Sequence, residues 1–204
     1  KCARSEHRSS QGGHTVSMEE TVTPSVLIVD DEREVADTYA IGLRADYDVE
    51  TAYGGAEALE AVAEEPDVVL LDRRMPDLSG DEVLERIRER GLDCRVVIVT
   101  AVDPGFDIID MPFDDYLCKP VHRQDLRTAV DHQLRILAYE SLSEYFELVS
   151  TRAVLDAEMP ADQRESSPEY TEIDDRLSGL EPVLRGPPDD FDDVVDTFAT
   201  VARK

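Results

Sequence analysis

Apolar and polar positions alternate in blocks along most of the chain, and the blocks differ in period. Ser25–Val29 (SVLIV), Val68–Leu71 (VVLL) and Val96–Val99 (VVIV) are short unbroken apolar runs. Such runs predict parallel strands buried on both faces. Val49–Ala52 and Tyr116–Cys118 predict two weaker strands. Between them the period lengthens. Val35, Tyr39, Ala40 and Leu43 recur at helical spacing over Glu34–Arg44. Ala56–Ala63 is rich in Ala and Glu, opens after Gly54-Gly55 and stops before Pro66, as a short helix should. Val83, Leu84 and Ile87 mark a helix over Asp81–Arg90, with Gly91 as its stop.

Strands interleaved with helices predict an α/β domain with helices on both faces of a parallel sheet. Five βα units in so short a span suit a flavodoxin-like, doubly wound sheet of strand order 2-1-3-4-5. Beyond Pro120 the texture changes. No Gly or Pro occurs from Val121 to Glu158, and Leu126, Val130, Leu134, Leu137, Leu142, Tyr145, Phe146, Val149 and Ala153 keep roughly helical spacing. That predicts one helix longer than a single domain needs. Further helices are expected over Pro168–Leu180 and Asp190–Ala202, separated by Pro182 and Pro187-Pro188. The expected division is a disordered lead-in over 1–23, an α/β domain over 24–136 and an all-helical module over 137–204, with the long helix shared across the boundary. The lead-in is mildly basic over its first seventeen residues and ends near Met18. It reads as a segment added ahead of a natural start rather than a functional arm.

Charge changes this picture in one respect. Asp and Glu number 47 against 21 Lys and Arg, a formal charge of -26. Repulsion on that scale opposes compaction in dilute buffer, and at molar salt the Debye length falls to roughly 3 Å and removes most of it. Eighteen of the basic residues are Arg and three are Lys. Acid-rich, Lys-poor sequences resemble proteins of salt-in halophiles. No apolar window is long enough for a membrane span, and no secretory leader is visible. Cys2, Cys94 and Cys118 lack metal-binding spacing. Buried thiols at 94 and 118 in a reducing cytoplasm are the expectation.

Ligands of a doubly wound sheet sit beyond the carboxyl ends of its strands. Here those ends carry Asp30-Asp31-Glu32, then Asp72 followed by Arg73-Arg74-Met75-Pro76, then Thr100-Ala101, then Lys119-Pro120. Mg²⁺ takes hard oxygen ligands and keeps several waters. Asp31, Asp72 and the backbone carbonyl of Arg74 would give it a small open site. A carboxylate can attack phosphorus to give an acyl phosphate, and positioned cations then carry most of the catalysis. Mg²⁺ and Lys119 supply them. The Thr100 hydroxyl can donate to a phosphoryl oxygen present only after transfer. Lys119 is the only Lys between the termini; a compact ammonium is wanted there rather than a wide planar fork.

An Asp-Asp pair alone is most often a solvated acidic turn. Four pieces in order are specific: VLIVDDE, VVLLDRRMPDLSGDEVL, VIVTA and DDYLCKPV make Ser25 to about Gln133 resemble a two-component response-regulator receiver domain. The resemblance implies Asp72 as phosphoacceptor, Asp30 and Asp31 as Mg²⁺ holders, Thr100 as switch hydroxyl, Lys119 as phosphate-pairing amine and Tyr116 as an aromatic rotor. It implies a sensor histidine kinase as donor, a cytoplasmic setting and a possible homodimer. The Thr100–Lys119 span is short and holds Pro104, Gly105 and Pro112, so the family's fourth helix should be short or irregular over about Phe106–Met111, and the family's usual dimer surface should not carry over.

The stretch LAYESLSEYFELVSTRAVLDAE, followed by SSPEYTEIDDRLSGLE, resembles the HalX domain found after receivers in halophilic archaea. It should fold as a helical hairpin with Tyr145, Phe146, Val149 and Leu177 at the contact, serving an unidentified output protein. DNA is a disfavoured partner: residues 123–204 carry nine basic and nineteen acidic residues, whereas affinity for DNA comes largely from phosphate neutralisation by Lys and Arg. Transcription regulation through DNA binding by this module is the alternative function. A Mg²⁺-dependent phosphohydrolase with an aspartyl nucleophile is a lesser one, because the second Asp that haloacid-dehalogenase-type enzymes use as general acid is replaced here by Arg74. The chain is therefore expected to be a phosphoacceptor and not an enzyme, with at most slow autodephosphorylation.

Overall fold

The computed structural model describes residues 23–184. Five strands, β1 (Ser25–Val29), β2 (Asp48–Ala52), β3 (Val68–Leu71), β4 (Arg95–Thr100) and β5 (Asp115–Cys118), form one parallel sheet of order β2-β1-β3-β4-β5. Side chains alternate across it with period two. Leu27, Val29, Val69, Leu71, Val96 and Ile98 face one layer, covered by α2 (Gly55–Ala61) and α3 (Gly80–Glu89). Val26, Ile28, Val68, Leu70, Val97 and Val99 face the other, covered by α1 (Arg33–Leu43) and the start of α4 (Arg123–Glu158). Double-sided burial is why the three central strands read as continuous apolar runs.

Two sequence features set the helix that borders the site. Ser79 caps α3: its hydroxyl accepts from the Glu82 N–H, and the Glu82 carboxylate accepts from the Ser79 N–H at 3.0 Å, a capping box. Gly80 opens the helix where a Cβ would lie 2.1 Å from the Asp72 carbonyl oxygen, so only glycine lets α3 start this close to β3.

After the sheet, α4 runs unbroken for 36 residues. A short α5 (Ala161–Glu165), which the sequence pattern does not predict, turns the chain into α6 (Pro168–Leu184). That last helix packs back along α4 with Leu177 buried. Arg152 pairs with Asp174 at 2.9 Å, Arg176 pairs with Glu144, and Tyr170 donates to Asp156 at 2.8 Å. Tyr145 and Phe146 meet edge-on at 5.9 Å. The expected helical hairpin is present. The expected helix over 190–202 and nearly all of the 1–23 lead-in lie outside the described residues.

The fourth helix, expected short or irregular over Phe106–Met111, is one 3₁₀ turn, Phe106–Ile108, with Phe106 and Ile109 exposed. One expectation changes. Cys94 is buried as expected, but Cys118 is exposed: it closes an edge strand, β5, in which no residue is fully buried.

Candidate functional site

The sheet's own hydrogen-bond ladder places the strand-end residues. The Asp30 N–H donates to Ala52 O at 3.1 Å, the Asp72 N–H to Val29 O at 2.9 Å, and the Lys119 N–H to Thr100 O at 2.8 Å. Each bond extends the parallel pairing by one step past a strand. Asp30, Asp72 and Thr100 are thereby held as buried polar groups on neighbouring strands.

Their side chains converge. Lys119 Nζ lies 2.7 Å from Asp30 Oδ2 and 2.8 Å from Asp72 Oδ1, bridging the two carboxylates. Asp72 Oδ2 accepts from the Arg74 N–H at 2.6 Å. Asp30 Oδ1 accepts from the Glu32 N–H at 3.0 Å, so both Asp30 oxygens are engaged within the protein. Asp31, Asp72, Arg74, Thr100 and Lys119 line one open cleft of about 370 Å³ together with Glu32, Ala101, Val102 and Asp103.

The electrostatics follow from burial and pairing. Burial pushes Asp30 above its ordinary value, and the Lys119 ammonium only partly opposes this. Burial by itself would lower Lys119, yet its hydrogen bonds to Asp30 and Asp72 leave the ammonium above its ordinary value and firmly charged. Burial also raises the Tyr39 hydroxyl on α1, which feels Lys119, Asp30 and Asp72. Tyr39 was legible in the sequence only as an apolar-face residue; its place in the first turns of α1, beside the Asp30 loop, is the signal that could have marked it.

The donor set fits a small hard cation. It is all oxygen, with Asp31 and Asp72 opening on the same cleft. Among the described residues no group of three or more His, Cys, Asp or Glu is placed to hold a metal ion, and Mg²⁺ asks for one or two carboxylates plus waters rather than a dedicated cage.

Thr100 and Tyr116 meet at one residue. The Val102 N–H donates to Thr100 Oγ1 at 3.4 Å, while the Tyr116 hydroxyl donates to the Val102 carbonyl at 2.7 Å. The Tyr116 ring is half-buried and tilted against Phe113 at 5.7 Å. Every strand-end residue singled out in the sequence thus lies in or beside this cleft. Less visible in the sequence is Asp114, which accepts from Arg88, Arg95 and the Val96 N–H, each at 2.7 Å. Arg95 also pairs with Glu140 of α4.

Comparison with known proteins accords with this arrangement. The family model of the response regulator receiver domain matches residues 26–131, and that of the HalX domain matches residues 135–201. A Haloferax volcanii protein named as a candidate transcriptional regulator is 52% identical over 142 residues, 69% of this chain and 24% of that protein. The alkaline phosphatase synthesis transcriptional regulatory protein PhoP of Bacillus subtilis is 36% identical over 115 residues, 54% of this chain and 48% of its own length. The chain therefore spans a quarter to a half of these curated relatives. A solved CheY-like response regulator receiver domain protein from Methanospirillum hungatei superposes with a TM-score of 0.55 at 26% identity, covering 58% of this chain and 99% of that one.

Proposed function

This chain belongs to the response regulator receiver family and carries a HalX domain behind its receiver, and on that premise we propose that Asp72 is its phosphoacceptor. Receiver domains of this family take part in phosphorelays with sensor histidine kinases; for this chain a histidine kinase is the proposed donor. The observation that carries the reading is the Lys119 ammonium, 2.8 Å from Asp72 and 2.7 Å from Asp30.

In the proposed step an Asp72 carboxylate oxygen attacks the phosphorus of a phosphohistidine. The P–O bond forms as the P–N bond breaks, and the electron pair ends on the departing imidazole nitrogen, which takes a proton from solvent water. Mg²⁺, when bound, neutralises charge on the phosphoryl oxygens. Asp31, Asp72 and the Arg74 carbonyl would hold it. Asp30, which does not line the cleft, contributes its charge from behind and holds Lys119. Lys119 moves from Asp72 to the incoming phosphoryl group as the carboxylate gives up its charge.

Thr100 then turns its hydroxyl toward a phosphoryl oxygen. The Val102 N–H loses its acceptor, and the Tyr116 hydroxyl loses the fixed Val102 carbonyl that holds it in place. This supports Tyr116 as reporter. Arg74 stands where a phosphohydrolase would need a general acid, so the aspartyl phosphate is expected to turn over slowly. Transcriptional control is what the two curated relatives' names assign to them; here we propose that the HalX module acts through a protein partner, since its described surface ion pairs leave no basic face for DNA.

The test is labelling by a small phosphodonor with Mg²⁺ in high salt. Wild type should become phosphorylated and Asp72→Asn should not. Equal labelling of the two would defeat the proposal.

A further inference from the structure

One side chain beside the acceptor has no part in the chemistry above. Arg73 follows Asp72 directly, and its side chain is only 9% exposed. A guanidinium buried one residue from a nucleophilic carboxylate is costly unless neutralised, and left loose it would compete with a metal for that carboxylate. Asp81 meets it in a planar, bidentate pair: Arg73 Nε to Oδ1 and Nη2 to Oδ2, both at 2.9 Å. Fork geometry of this kind fixes direction as well as charge. Asp81 sits in the first turn of α3, where the helix dipole also favours its carboxylate.

The main chain of the same residue is clamped too. Arg73 O accepts from the Gly80 N–H at 2.9 Å, and Gly80 packs on the Asp72 carbonyl and Arg73 Cα. Arg73 is therefore tied by backbone to residue 80 and by side chain to residue 81. Residues 74–79 are closed off as a loop between those ties. That loop supplies the Arg74 N–H that Asp72 Oδ2 accepts and the Arg74 carbonyl assigned to the metal.

We propose that Arg73 and Asp81 are positioning residues for the Mg²⁺ site: the pair seals the base of the 74–79 loop and keeps the Arg73 charge off the acceptor. This rests on the reading of Asp72 as phosphoacceptor. Neither residue touches the metal or the phosphoryl group; both act through Arg74 and Asp72. Outer partners of metal ligands typically carry a ten- to hundredfold share of affinity.

The experiment is a Mg²⁺ titration of the full chain by calorimetry, alongside Mg²⁺-dependent labelling by acetyl phosphate. Wild type, Asp81→Asn, Asp81→Glu and Arg73→Lys are compared far below their urea midpoints. Asp81→Asn should raise the half-saturating Mg²⁺ concentration about tenfold, with a smaller loss of labelling rate at saturating Mg²⁺. Asp81→Glu, which keeps a carboxylate, should recover most of that. Arg73→Lys keeps the charge without the fork and should shift the titration in the same direction; it carries the test if Asp81→Asn does not fold. Half-saturation within twofold of wild type in a folded Asp81→Asn or Arg73→Lys would overturn the inference. A wild type that is not labelled at Asp72 would overturn the acceptor reading instead, and the calorimetric titration would still decide this one.

Discussion

Gly80→Ala is the sharpest single perturbation of the acceptor loop. The added Cβ would lie 2.1 Å from Asp72 O, 2.8 Å from Arg73 Cα and 2.9 Å from the Asp72 carbonyl carbon. All three are backbone atoms, so no flexible side chain can swing aside. Optimal carbon contacts lie at about 3.5–4.0 Å, so Asp72's peptide or the start of α3 must retreat by about 1 Å. Overpacking of this sort costs about 1–3 kcal/mol. A misplacement of about 1 Å at a reacting group costs on the order of a hundredfold in rate. Stability and chemistry should therefore fall together but by different amounts. Urea unfolding followed by circular dichroism reads the first. Single-turnover labelling by acetyl phosphate at saturating Mg²⁺ reads the second, under conditions where the variant is fully folded. Wild-type labelling with wild-type stability would show that α3 does not press on the acceptor, and the account of the loop would fall with it.

Gly179 offers the opposite case: nothing lies within 4 Å of its added Cβ, it sits inside α6, and Gly179→Ala should raise stability by about 0.5–1 kcal/mol, read by thermal melting. Asp114→Ala leaves the Arg88 and Arg95 guanidinium groups without the carboxylate they share and should cost about 2–3 kcal/mol in a urea titration; a cost below half of that would mean the network is replaced by water. Burial pushes the Cys94 thiol up, so native protein at pH 8 should react with a maleimide at Cys118 and not at Cys94 by peptide mapping. The sign for stability follows: Cys94 favours folding fully below the unfolded thiol value of about 8.5, and this contribution disappears as pH rises through the higher folded value. With a formal charge of -26, the melting temperature should climb steeply between 0.1 and 2 M KCl; a flat response would remove the argument from self-repulsion.

How much was legible in the sequence depended on range. The central strands were plain because Val68–Leu71 and Val96–Val99 are buried on both faces and so need no polar alternation. The strand-end set was plain because a parallel sheet delivers its carboxyl ends to one rim. The limits of α1, α2 and α3 came within a residue or two, since Pro66 and Gly91 are local signals, whereas α6 runs four residues past its expected end at Leu180. Contacts between distant segments left no such trace. Nothing near Asp114 announces that it joins α3, β4 and, through Arg95, α4. The approach of Gly80 to Asp72 is likewise invisible without the turn that brings them together. Cys118 closes the edge strand, and burial there depends on what packs beside it, which four residues of sequence do not show.

The long helix has a mechanical consequence. Residues Leu126, Ala129, Val130 and Gln133 of α4 are buried at its receiver end, and the same rod, with no break between the two units, continues to Glu158. The receiver holds α4 as far as Glu140, through Arg95, and at 1.5 Å per residue the part beyond it is about 27 Å long. A tilt of about 5° at its seat on the sheet would sweep the far end through about 2 Å. With no slack linker to absorb it, a displacement too small to see beside Lys119 becomes a stroke of side-chain dimensions at the distal hairpin, as a pointer magnifies the movement of its pivot.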